Sequence, residues 1–245
     1  MAKLKYQRVL LKVSGEGFCT TSGFGIEAEP LRQMARELKD TAQLGLQLAV
    51  VCGGGNFLRG EALTKQLQTP RDTADYMGML ATVMNAVCLQ EELEAIGQPT
   101  RVMSAIAVQA LCEPFIHRRA VGHLEKGRVV ILAGGTGNPF FSTDTCAALR
   151  ASELHAEALL KATKVDGVYS ADPATDPQAQ LYQKLDFHKV LSKDLKVMDH
   201  SAISLCRMNK IPIIVFNMYK SGNIVRVAQG QQVGTTIGDF PDAAG

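Results

Sequence analysis

Arg128-Val-Val-Ile-Leu-Ala133 followed by Gly134-Gly135-Thr136-Gly137-Asn138-Pro139-Phe140-Phe141-Ser142-Thr143-Asp144 decides the reading of this chain. The first run is apolar and short, as a buried strand is. From Thr143 to Leu154 the pattern is helical. Strand, glycine turn, hydroxyl pair and helix start together build an anion cradle. Glycines let main-chain N–H groups approach an oxyanion closely, and the unpaired N–H groups of the first helical turn point at it. Phosphate handling is the expectation.

The same alternation extends in both directions. Val9 to Val13 reads as a first strand, Pro30 to Leu44 as a helix stopped by Gly45, and Leu46 to Cys52 as a second strand. A long helix from about Thr73 to Ile96 follows, ended by Gly97 and Pro99. Arg101 to Ile106, Arg128 to Ala133, Ala158 to Ala162 and Ile211 to Phe216 are further strands, and a helix and a short strand close the chain. The strands are continuous apolar runs rather than alternating ones, as in a parallel sheet buried on both faces. The expected fold class is α/β, a three-layer α/β/α sandwich around a mostly parallel open sheet. No linker or repeat divides the chain. One domain over residues 1–240 is expected, with residues 241–245 as a frayed tail.

In such sheets ligands bind beyond the carboxyl ends of the strands. Ser14-Gly15, Gly53-Gly54-Gly55 and Gly134 to Gly137 all fall at such ends. Lys12 stands inside an apolar strand just before the first of these turns. A lysine there is costly unless an anion neutralises it, the plainer alternative being a stem that snorkels from a strand end. Arg59, close behind the three consecutive glycines, suits a phosphate clamp. Asp75 and Asp144 open helices, where an acid compensates the helix dipole; in a basic glycine-rich site such acids also orient lysines and bind ribose hydroxyls.

Several classes are excluded by what is missing. Net charge is +2 over 245 residues, too small to argue for nucleic acid. Six scattered cysteines have no CxxC spacing and read as reduced thiols; five histidines have no zinc spacing, so no metal-ligand set is expected. No apolar run reaches membrane-spanning length, and the expected location is the cytoplasm. There is no Gly-Lys dipeptide for a Walker loop, no HRD or DFG, and no GxSxG elbow. Gly23-Phe24-Gly25-Ile26-Glu27-Ala28 fits a loose GxGxxA pattern but follows no strand.

Lys12-Val13-Ser14-Gly15, Gly53-Gly54-Gly55-Asn56, Gly137 to Asp144, Thr163-Lys164-Val165-Asp166-Gly167-Val168-Tyr169 with Ala171-Asp172-Pro173, and Val197-Met198-Asp199 resemble the amino-acid kinase superfamily. Within it, Thr136 to Thr143 and Asp75 to Met79 resemble the bacterial uridylate (UMP) kinases. The resemblance runs from about Val9 to Ile237. It implies transfer of the ATP γ-phosphoryl group to UMP with Mg2+, in pyrimidine nucleotide synthesis. It implies that Lys12, Val13, Ser14, Gly15, Gly55 and Arg59 meet the donor phosphates, and that Thr163, Tyr169 and Asp172 hold the adenosine end. It implies that Gly54, Asp75, Thr136, Gly137, Asn138, Pro139, Phe140, Phe141, Ser142 and Thr143 hold UMP, and that Lys12 and Asp144 are catalytic. The N-terminal part would then serve mainly UMP and the C-terminal part mainly ATP. A homohexamer activated by GTP and inhibited by UTP is implied as well, with the GTP response on Thr20, Thr21, Ser22, Gly23, Phe24 and Gly25. The loop before Asp75 varies in length among relatives, which keeps Asp72 beside it as a candidate. A glutamate or aspartate kinase of the same superfamily, and a non-catalytic oxyanion-storage protein on the same fold, are the competing readings.

Overall fold

The computed structural model describes residues 4–19, 23–58, 68–173 and 175–240. Arg59, Thr20, Thr21, Ser22 and the 241–245 tail therefore lie outside the described residues.

Nine strands form one sheet. They are β1 (Arg8–Val13), β2 (Gln47–Cys52), β3 (Thr100–Ser104), β4 (Glu113–Pro114), β5 (Val129–Ala133), β6 (Ala158–Thr163), β7 (Lys184–Asp186), β8 (Ile213–Asn217) and β9 (Thr235–Gly238). Their spatial order is β4-β3-β5-β2-β1-β6-β8-β9-β7. All pairings are parallel except β8 with β9. The first half of the chain builds the sheet outward from β1 on one side, and the second half builds it on the other. β1 is thus the point where the winding reverses, the place where such sheets open a crevice at the strand ends.

The helices of the described residues are α1 (Ala28–Ala42), α2 (Arg71–Ala95), α3 (His117–Glu125), α4 (Thr143–Glu153), α5 (Phe187–Ser192), α6 (His200–Met208) and α7 (Asn223–Ala228). Two cores flank the sheet. On one face Leu31, Met34 and Leu38 of α1, Val83, Leu89 and Leu93 of α2, and Ile224 of α7 pack on Val9, Leu11 and Val13. On the other, Leu124 of α3, Ala147 and Ala151 of α4, Phe187 of α5 and Ile203 of α6 pack on Leu10, Leu132 and Leu159. The expected three-layer sandwich is the observed one.

Element limits differ from the sequence reading where side chains compete with the backbone. β3 stops at Ser104 because the Ser104 hydroxyl accepts the Ile106 N–H (3.2 Å) and turns the chain. β8 starts after Pro212, which has no N–H to give a ladder. β4, α3, β7, α5 and α6 are elements that the apolar pattern left unread. Gly45 and Gly97 end α1 and α2 at φ +88° and +83°, a backbone region that favours glycine.

Candidate functional site

Alternation along a strand sets the site. In β1, Leu10 faces the α4 side, so Lys12 does too; in β6, Leu159 faces that side, and so does Lys161. Lys12 and Lys161 are register partners on neighbouring parallel strands. Both reach the second residue of α4. Lys12 Nζ lies 2.9 Å from Asp144 Oδ1 and Lys161 Nζ 2.8 Å from Oδ2. All three side chains are at most 16% exposed. Burial acts to raise the Asp144 pKa, but the two ammonium groups outweigh it and hold the carboxyl below its ordinary value. Burial draws the Lys161 ammonium down, with Lys12 adding to it and Asp144 opposing. Two cations share one anion. Within contact distance the cluster sets two ammonium groups on one carboxylate in a poorly hydrated place, with the Asp199 carboxylate acting on Lys161 from further off, and the paired cations can still attract an incoming anion.

The same lysine ties in a further segment. Lys161 Nζ also donates to the Val197 carbonyl. Two residues on, Asp199 caps α6 by accepting the Ala202 N–H (2.8 Å). Its Oδ1 accepts from the Thr145 hydroxyl (2.8 Å), and its Oδ2 accepts from the Ser142 hydroxyl. Ser142 in turn caps α4, its Oγ accepting the N–H groups of Asp144 and Thr145 at 3.0 and 3.1 Å. One carboxylate therefore joins the starts of two helices around Asp144.

The glycine turns meet above this cluster. A Cβ on Gly15 would lie 2.5 Å from the Gly55 nitrogen and 2.6 Å from Asn56 Oδ1, so the two turns approach as only glycine allows. A Cβ on Gly54 would lie 2.7 Å from the Gly78 carbonyl of α2. The Gly134 N–H is held by the Thr82 hydroxyl of α2 at 2.8 Å.

Two openings flank the glycine turns and the lysines. One, of about 210 Å³, is lined by Gly54, Gly55, Asp75, Gly135, Phe141 and Thr143 among others. Asp75 accepts the Phe140 N–H at 2.8 Å and pairs with Arg71 at 3.1 Å. That bond holds Phe140 at φ +71°, an unusual conformation for a bulky residue. Thr136 Oγ1 accepts the Asn138 N–H (3.2 Å) and closes the turn before Pro139. The other opening, of about 400 Å³, is lined by Thr163, Gly167, Tyr169, Asp172, Pro173 and Val197 among others. Thr163 Oγ1 donates toward the Val165 carbonyl at 2.8 Å.

The structure thus brings the described sequence-derived residues to one rim. Lys12, Ser14, Gly15, Gly55 and Asp144 are central; Gly54, Asp75 and the 136–143 turn lie to one side, and Thr163, Tyr169 and Asp172 to the other. Gly23 to Gly25 border the glycine turn, since the Gly25 N–H donates to the Asn56 carbonyl at 2.9 Å. Asp75, rather than Asp72, lines the smaller opening.

A family model described as the amino acid kinase family matches residues 7–217. The chain belongs to the amino acid kinase family. Three solved structures are similar to it. The UMP kinase of Bacillus anthracis superposes with a TM-score of 0.93 at 37% identity, over 96% of this chain and 97% of that one. The UMP kinase of Ureaplasma parvum gives 0.91 at 34%, over 96% and 100%. The uridylate kinase of Archaeoglobus fulgidus gives 0.72 at 30%, over 94% and 99%.

Lys161 and Asp199 escaped the residue-by-residue reading of this amino acid kinase chain. Lys161 carried the same signal as Lys12, a lysine in an apolar strand, and could have been found by it. Asp199 lay within a quoted motif, but its partners are 54 and 57 residues away in sequence. All six thiols are free, and burial pushes Cys52 up to about 12, which keeps it protonated and unreactive. Among the described residues, no group of three or more His, Cys, Asp or Glu is placed to hold a metal ion, and no helix is long and apolar enough to cross a membrane.

Proposed function

We propose that this chain is a UMP kinase, transferring the γ-phosphoryl group of ATP to UMP to give UDP and ADP. The observation that carries the reading is the Lys12–Asp144–Lys161 cluster, two ammonium groups in contact with one carboxylate, set between two openings at the sheet's reversal point. The known activity of similar chains supports the choice of substrates.

In this reading UMP occupies the opening beside Asp75, whose carboxylate meets the ribose, with the 136–143 turn around the nucleotide. ATP lies over Ser14, Gly15 and Gly55, with Arg59 on its phosphates and its adenosine between Thr163, Tyr169 and Asp172. The acceptor is a phosphate monoester with a second pKa near ~6, so it is largely dianionic at neutral pH. No proton need be removed before attack. The obstacle is bringing two polyanions together, so positioning and charge neutralisation do the catalysis. Lys12 swings its ammonium from Asp144 toward the transferring group. Lys161 keeps Asp144 compensated when it does so, and main-chain N–H groups at the glycine turns bind the phosphate oxygens.

Magnesium fits this donor set in one way. Both Asp144 oxygens face lysines and both Asp199 oxygens accept hydrogen bonds, so the ion's own ligands would be nucleotide phosphate oxygens and water. When bound it would neutralise charge between the β- and γ-phosphates.

The same likeness extends the proposal to a cytoplasmic enzyme of pyrimidine nucleotide synthesis, a homohexamer activated by GTP and inhibited by UTP. Residues 20–25 would respond to GTP. An ADP-release assay across UMP, CMP, dUMP, glutamate and aspartate tests the substrate. Turnover with UMP is expected; turnover with an amino acid instead would overturn the reading. Adding GTP and UTP to that assay, and sedimentation of the protein, test the regulation and the assembly.

A further inference from the structure

We propose that Asn85 is a positioning residue for phosphoryl transfer, acting through Asn56 and the Gly53 carbonyl to set the backbone of the glycine turn. The inference rests on the reading of that rim as the phosphate site.

Asn85 sits inside α2 and is fully buried; Asn56, directly after the three glycines, is 1% exposed. Their amides face each other in a ring. Asn85 Nδ2 donates to Asn56 Oδ1 at 2.7 Å, and Asn56 Nδ2 donates to Asn85 Oδ1 at 2.9 Å. Each amide has one hydrogen left over. Asn85 gives its second to the Gly53 carbonyl, and Asn56 gives its second to the Gly25 carbonyl, both at 2.7 Å. Backbone carbonyls can only accept, so these two bonds fix which way round both amides stand. Every amide hydrogen is used.

Helix stability does not ask for this residue. Its neighbours Val83, Ala86 and Leu89 are buried and apolar, so a buried amide here is tolerated only through the hydrogen bonds it makes. What the amide adds is orientation of a peptide plane. In a trans peptide the carbonyl and the following N–H point in opposite directions. Holding the Gly53 carbonyl toward Asn85 turns the Gly54 N–H away from it. Neither the Gly54 nor the Gly55 N–H makes a hydrogen bond among the described residues, so both remain available to a ligand. Gly15 is packed directly against Gly55 and Asn56, so any shift of this turn reaches the other one. One helical turn earlier, Thr82 holds the Gly134 N–H. A single helix, the one that carries Asp75, thereby registers two glycine turns against each other.

The test compares wild type with Asn85→Leu, Asn56→Ala, the double variant and a control, Leu89→Ala, in the ATP-plus-UMP assay. All are measured at a temperature where thermal melts show them folded. Asn85→Leu should lower kcat per folded molecule by on the order of 10²-fold, the cost of a small misplacement of reacting groups. The double variant should be no slower than the slower single one, because both break the same ring. Leu89→Ala should lose melting temperature and keep kcat. If Asn85→Leu does not fold, Asn56→Ala removes the link from the loop side and is read in the same way. Unchanged kcat in the folded Asn85→Leu protein, or additive losses in the double variant, would overturn the role. If wild type turns over no UMP, the assigned reaction falls, and this role falls with it.

Discussion

Two polar centres lie buried beneath the same rim, and they are built in opposite ways. The Lys12–Asp144–Lys161 cluster is charged, two cations in contact with one carboxylate while a second, Asp199, acts on Lys161 from further off. The Asn56–Asn85 pair is neutral and closed, with every amide hydrogen placed. A closed network has nothing to offer a ligand, so what it can do is hold shape. A charged one with two cations in contact with a single carboxylate can still attract anions, so what it can do is bind and stabilise charge. Gly15, three residues after Lys12, packs against Gly55 and Asn56, so this rim combines a rigid frame with a charged centre.

The comparison breaks most visibly at its anion. Asp144→Ala takes the contacting carboxylate from two buried lysines, and breaking a buried ion pair in this way costs about 3–5 kcal/mol. A large fall in melting temperature together with loss of turnover is expected in thermal melts and the ADP-release assay. A variant that melts like wild type would mean that the lysines are not held by Asp144.

Removing one cation should act differently. Lys12→Ala leaves Asp144 neutralised by Lys161, so the fold survives while kcat falls by about 10³-fold, the scale of losing one preorganised charge at the reacting group. Near-normal turnover would take Lys12 out of the mechanism. The contrast between Asp144→Ala and Lys12→Ala in stability, at similar loss of activity, is the sharper result.

How much of this was legible in the sequence follows from distance along the chain. Ser14-Gly15, Gly53 to Gly55 and Gly134 to Gly137 announced themselves because strand, turn and helix start are local patterns, and Lys12 because a charge in an apolar run is conspicuous. The partners were not local. Asp144 meets Lys161 across 17 residues, and Asn56 meets Asn85 across 29. Nothing in either segment specifies the other, and an asparagine inside a long helix looks like ordinary surface. β4 and β7, two and three residues long, pair at the sheet's edges and were too short to carry a period.

A smaller effect is expected at the acceptor side. Asp75 lines the opening assigned to UMP, and a hydrogen bond to a charged group contributes about 1.5–3 kcal/mol. Asp75→Ala should raise KM for UMP by about tenfold or more, since each 1.4 kcal/mol is a factor of ten. The KM for ATP should hardly move. If steady-state kinetics showed only the ATP constant changing, the two openings would be assigned the wrong way round.

The smallest effect separates the charged centre from the neutral one by pH alone. The Asp144 carboxyl titrates below its ordinary value of 3.8 in the folded chain because Lys12 and Lys161 outweigh the effect of burial. The unfolded chain therefore binds this proton at a higher pH than the folded one does. The stability that the ion pairs supply is fully present above about pH 4 and is lost as pH falls through the depressed folded value. The amides of Asn56 and Asn85 do not titrate and contribute no such slope. Urea melts of wild type and of Lys12→Ala between pH 6 and pH 3, comparing folding free energies, should show wild type losing more stability on acidification, because one of the two ammonium groups that depress Asp144 is gone in the variant. Parallel pH dependence in the two proteins would mean that Lys12 does not interact with Asp144 in solution, and the charged centre would lose one of its two cations.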